Sequence, residues 1–114
     1  MYEYRAKLIR AIDGDTIQTS VDLGFGIWVT MVLRLDGIDT PEVVGMERPE
    51  GLRAKAFVES LLPPDSHFVI QTKKDRKDKY GRYLAKVLYM TDEGEMRVLN
   101  DELLEAGLAV PMRG

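Results

Sequence analysis

The 114-residue chain has no cysteine and only one histidine and one tryptophan. Without thiols, disulfides, zinc–thiolate centres and cysteine nucleophiles are excluded. A single imidazole, His67, leaves zinc or copper without a ligand set. No apolar run approaches the ~20 residues that a membrane span requires. The N-terminal stretch MYEYRAKLIRAIDGD is charged and alternating and lacks the apolar segment of a secretory signal. A cytoplasmic chain with no membrane partner is therefore expected, unless a leader has been removed. Net positive charge is lacking too: the formal charge is −3, with a pI near 5.2. That argues against coating nucleic acid by bulk attraction. There is no repeat, low-complexity tract or linker, so residues 1–114 read as one soluble domain, expected to be monomeric. It is long enough to bury about two-thirds of its unfolded surface.

The apolar residues present follow two periods. Residues 4–12, YRAKLIRAI, place Tyr4, Ala6 and Leu8 on one face and Arg5 and Lys7 on the other, an antiparallel strand pattern. DGD at 13–15 is a turn into a second strand, 16–23, and GFG at 24–26 turns into a third, 27–35. Residues 36–49 are irregular, rich in glycine, proline and acids. Ala54, Phe57, Val58, Leu61 and Leu62 then keep helical spacing until Pro63-Pro64 stops it. Strands at 67–72 and 83–90 and a short helix at about 99–106, with Gly107 suited to end it, complete the chain. The order β-β-β-α-β-β-α fits a mainly β fold, a five-stranded OB-type barrel with two flanking helices.

Charge is concentrated where the strands end. RLDGIDTPE, residues 34–42, sets three carboxylates and an arginine within nine residues. Like charges that close destabilise one another, so the stretch is either a solvated acidic turn or the place where a cation is held. Asp13 and Asp15 flank Gly14 at another strand end, and Arg82 opens the fifth strand after Lys79, Tyr80 and Gly81. Two carboxylates from separate turns plus a backbone carbonyl can form an all-oxygen site for a hard cation such as Ca²⁺. Arginine forks beside it suit a phosphodiester, because they bind phosphate oxygens bidentately and offset developing charge. Glu42 would be left to orient or deprotonate a water. The stretch KKDRKDKYGR, 73–82, carries six Lys/Arg against two Asp and reads as a basic loop. Phe25 and Trp28, near the GFG turn, could stack bases, or as readily be hairpin-tip aromatics that only pack.

IDGDT (12–16), RLDGIDTPE (34–42), DKYGR (78–82) and LNDELLEAGLA (99–109) resemble, in order, the successive signatures of the staphylococcal nuclease family. The resemblance implies an OB barrel and Ca²⁺-dependent cleavage of DNA and RNA, leaving 3′-phosphate ends; with no base-pocket tyrosines and binding left to phosphate attraction by the basic stretch, single strands are expected to be cut better than duplex. It matches Asp15 and Asp39 to metal carboxylates and Thr40 to the residue lending its carbonyl. Arg34 and Arg82 match phosphate-binding catalytic arginines, Glu42 the general base, and Lys79 and Tyr80 contacts to a nucleotide phosphate. Asn100 matches a structural position. The chain departs from the family after GLAVPMRG, where the third helix and the base-pocket tyrosines are missing, and in a longer 15–34 hairpin. The alternative is a related OB module that binds nucleic acid or protein without cutting it.

Overall fold

Alternation of apolar and polar residues builds the barrel wall. The computed structural model describes residues 2–45, 48–77 and 81–112, the side chains of 73–77 excepted. Strands β1 (Tyr2–Asp13), β2 (Thr16–Gly24) and β3 (Ile27–Leu35) form an antiparallel meander. The short β4 (Ile38–Asp39) and helix α1 (Arg48–Leu61) follow. β5 (His67–Lys77) pairs with β1, and β6 (Tyr83–Met90) pairs with β5. The parallel pairing of Leu33, Arg34 and Leu35 with Tyr83, Leu84 and Ala85 closes β1, β2, β3, β5 and β6 into a five-stranded barrel. β7 (Met96–Val98) extends the sheet beside β6; α2 (Leu99–Glu105) and β8 (Val110–Pro111), which pairs with β4, end the described chain.

Ala6, Leu8, Ala11, Ile17, Val21, Leu33, Leu35, Phe68, Ile70 and Val87 point inward. β1 does not alternate strictly. A register shift between Leu8 and Arg10 turns Arg10 outward and brings Ala11 into the core. Helix α1 covers one end of the barrel with Gly51, Ala54 and Val58, followed by Leu62. Helix α2 ends in paired bonds, Gly107 N–H to Leu104 C=O (3.1 Å) and Leu108 N–H to Leu103 C=O (3.0 Å). This is the Schellman arrangement, with Gly107 at φ 73° as its left-handed residue.

The expected fold and helices stand, with two differences. β4, β7 and β8 have two or three residues each, too short to leave a period in sequence. The basic stretch is not all loop, because β5 runs on to Lys77 and takes in residues 73–77 as strand.

Tyr89 on β6 ties the sheet to α2. It is almost fully buried, and its hydroxyl donates to Glu102 Oε1 (3.1 Å), which also accepts from Arg97. Burial, then the Glu102 carboxylate, pushes the phenol up from 10.0 to about 12. A raised acid favours the fold below its unfolded value and loses that contribution as pH rises through the folded value. The melting temperature should therefore fall between pH 10 and about 12, and Tyr89→Phe should flatten this alkaline limb. Thermal melts across that range check it; an unchanged limb in the variant contradicts the assignment.

Candidate active site

The β1–β2 turn supplies the first carboxylate. Asp13 and Thr16 face each other across Gly14-Asp15. Gly14 is required by close approach: a Cβ there would lie 2.7 Å from Ala54 Cβ and 3.0 Å from the Thr40 side chain. Strand β3 supplies the cation. Arg34 pairs with Thr16 on one side and Leu84 on the other, at the closure of the barrel, and alternates away from core residues Leu33 and Leu35.

Arg34 and Asp15 are each only 8% exposed. Arg34 Nη1 lies 2.8 Å from Asp15 Oδ2, while Nη2 bonds Asp39 Oδ1, so one guanidinium bridges both carboxylates. Asp15 is held at every oxygen. Oδ2 accepts the Thr40 backbone N–H (2.9 Å), Oδ1 the Thr16 hydroxyl (3.1 Å), and the carbonyl the Leu35 N–H (2.8 Å). Asp39 is carried by the β4–β8 pairing, where Met112 N–H also donates to Gly37 C=O (2.9 Å). Arg82 Nη1 donates to Thr16 Oγ1 (3.3 Å), which links the second arginine to Asp15 through one hydroxyl.

The fold thus brings together Asp15, Arg34, Asp39, Thr40 and Arg82. Thr40 enters through its N–H; the bond seen is not from the carbonyl that the sequence singled out. Glu42 is exposed and makes no hydrogen bond among the described residues. Its backbone is fixed all the same. A Cβ on Gly51 would sit 2.1 Å from the Glu42 carbonyl oxygen, and Val43 N–H reaches Asp13 Oδ1 (3.4 Å). Lys79 and Tyr80 lie outside the described residues. Asn100 is structural, as expected. Its Nδ2 donates to Asp36 C=O (2.9 Å) and Ala85 C=O (3.1 Å), and its Oδ1 accepts Val87 N–H (3.1 Å).

Phe25 and Trp28 do not belong to this site. They lie at the far end of the β2–β3 hairpin, roughly 25–30 Å from Thr16 at about 3.3 Å per strand residue. Trp28 instead packs under Lys7 Nζ (5.1 Å from the ring centroid) and edge-on to His67 (6.5 Å). Sequence reasoning missed Thr16. Its signal was its place in DGDT, but only the register sets it opposite Arg34.

Among the described residues, no three His, Asp or Glu side chains gather as metal ligands. The oxygens at hand are two carboxylates, the Thr40 main chain and a buried Thr40 hydroxyl with no partner among the described residues. Hard, all-oxygen donors of this kind fit Ca²⁺ or a similar cation in chemical type.

A small closed barrel bearing an acid–arginine cluster at its seam is the class that fold and site define. The staphylococcal nuclease homologue family matches residues 32–113, and the chain belongs to that family. It is 36% identical over 110 residues to a thermonuclease of Staphylococcus hyicus, covering 94% of this chain and 59% of that protein. It is 29% identical over 126 residues to an uncharacterized protein of Methanocaldococcus jannaschii, covering 93% and 58%. It is 28% identical over 115 residues to the endonuclease YhcR of Bacillus subtilis, covering 94% and 9%. The chain thus spans less than two-thirds of the length of each of these relatives.

Thr16→Val removes a hydroxyl that serves both Asp15 and Arg82 and takes the Thr16 donor from the buried Asp15 Oδ1. It should cost about 1–3 kcal/mol of stability, whereas Thr16→Ser should keep most of it. Urea unfolding of both variants measures this; equal stability of valine variant and parent contradicts the bridge.

Proposed function

We propose that this chain is a Ca²⁺-dependent nuclease that hydrolyses phosphodiester bonds of DNA and RNA, single strands preferred, leaving 3′-phosphate ends. The observation that carries the reading is the meeting of two guanidiniums and two carboxylates at one seam, joined through Arg34 and Thr16. Membership of a nuclease-like family supports it. Asp15, Asp39 and Thr40 would hold the cation, and bound Ca²⁺ supplies a fixed positive charge beside the phosphate oxygens.

The chain's own groups do the rest. Arg82 is less buried than Arg34 and meets the phosphate first, with its fork on two non-bridging oxygens. Arg34 holds the two carboxylates in place and adds positive charge where negative charge builds on phosphorus. Glu42, exposed and fixed through its backbone, takes the proton of the attacking water. The water oxygen bonds to phosphorus, the P–O5′ bond breaks, and the departing O5′ takes a proton from solvent water to leave as a 5′-hydroxyl. Lys79 and Tyr80 are proposed to steady a neighbouring phosphate, within a stretch whose charge supports attraction of a polyanion.

One observation favours the alternative, a module that binds without cutting. Both terminal nitrogens of Arg34 are engaged by Asp15 and Asp39, as in a purely structural ion-pair cluster. A cleavage assay separates the two. Single-stranded DNA should be cut with Ca²⁺ and spared in EDTA, and Arg82→Lys should lower kcat on the order of 10²–10⁴-fold, because an ammonium cannot present a planar fork. Full activity in EDTA removes the calcium requirement, and retained binding with no cleavage by the parent establishes the alternative.

A further inference from the structure

Asp15 and Asp39 already have a cation between them, and it belongs to the chain. Arg34 Nη1 lies 2.8 Å from Asp15 Oδ2, and Nη2 bonds Asp39 Oδ1. A carboxylate oxygen offers two lone pairs. Asp15 Oδ2 uses both, one on Arg34 and one on the Thr40 backbone N–H (2.9 Å). Any other cation that takes this oxygen must displace one of these donors. The Thr40 N–H is main chain, next to Asp39 in the β4–β8 pairing. The guanidinium sits on a side chain, so it is the donor that can yield. Asp39 is the open end of the bridge: its side chain is 44% exposed, against 11% for Asp15. A cation arriving from solvent therefore meets Arg34 at Asp39 first.

We infer that Arg34 is the built-in counter-ion of the cation site: it holds the two carboxylates while no metal is bound, and a divalent cation binds in competition with it. This rests on the calcium reading proposed above and deepens it, by naming the residue that sets the affinity. Two cations that share the same carboxylate oxygens oppose each other, by repulsion and by loss of lone pairs. The opposition is reciprocal. The metal loosens Arg34 from Asp15 and Asp39 by the same factor by which Arg34 weakens metal binding. Arg34 does not leave the seam when it yields, because Nη1 also donates to the Asp15 carbonyl (3.4 Å). Its charge stays beside the site. The contact that a structural ion-pair cluster would keep permanently is, for this chain, the metal-free state of the site.

Calorimetric titration of Ca²⁺ into the 114-residue chain, Arg34→Gln and Arg34→Lys tests it without recourse to activity. Glutamine keeps a donor but removes the charge, so Ca²⁺ should bind it about 5–150-fold more tightly than the parent. Lysine keeps the charge but cannot present two nitrogens to two carboxylates, and its affinity should fall between. A purely structural arginine predicts the opposite sign, because its loss would misplace both carboxylates and weaken binding. Arginine side-chain NMR of the parent serves as the readout if the glutamine variant does not fold. Without metal the Arg34 guanidinium should show separate Nη proton signals from hindered rotation, and saturating Ca²⁺ should merge them. Equal or weaker Ca²⁺ affinity in Arg34→Gln, or Arg34 signals unchanged at saturation, overturns the inference and leaves Ca²⁺ binding standing. So does an Arg34→Lys affinity equal to the parent's, which would mean long-range repulsion and not shared oxygens. No Ca²⁺ binding by the parent or either variant overturns both the inference and the calcium requirement on which it rests.

Discussion

A guanidinium as buried as that of Arg34 stays charged, and its desolvation is offset only by anions placed at its own nitrogens. Two are present. Asp15 comes from the β1–β2 turn and Asp39 from the segment beyond β3, and each bonds a different terminal nitrogen. Removing one partner would leave a buried charge uncompensated, so this bridge sets the positions of everything near it. The same constraint explains why a chain of net negative charge can gather acids at a strand end: their charge is answered locally.

The rest of the fold delivers three separate segments to that guanidinium. Barrel closure puts Arg34 between Thr16 and Leu84. Asn100 bonds β6 to the turn after β3, which fixes where the Asp39 segment starts. The β4–β8 pairing fixes where it ends. Gly14 and Gly51 let α1 and the residues around Glu42 approach closer than any side chain would allow. Substitutions there should act on the site through the backbone and not through lost chemistry.

Strand and helix identities were legible because the apolar periods of 4–12, 27–35 and 54–62 are strong, and the carboxylates and arginines were legible as motif residues. Their joining was not. A two-residue turn at Phe25-Gly26 with an unbroken ladder would pair Thr16 with Leu35. The irregularity between Asp22 and Gly24 shifts the register by one and sets Thr16 opposite Arg34. Bulges leave almost no mark in composition, so neither this register nor the burial of Ala11 in place of Arg10 could be read in advance. The same geometry sends Phe25 and Trp28 to the end of the hairpin away from the cluster, where sequence proximity to a turn had suggested base stacking.

The central claim is that Arg34 and Asp15 act as one unit at the barrel seam. A double-mutant cycle on unfolding free energy, with Arg34→Met, Asp15→Asn and the pair, tests it most directly. Arg34→Met alone should cost about 3–5 kcal/mol, and the double variant should lose less than the sum of the single losses by about 2–3 kcal/mol. Losses that add to within about 0.5 kcal/mol would mean that the two groups do not depend on each other, and the account of the site would fail.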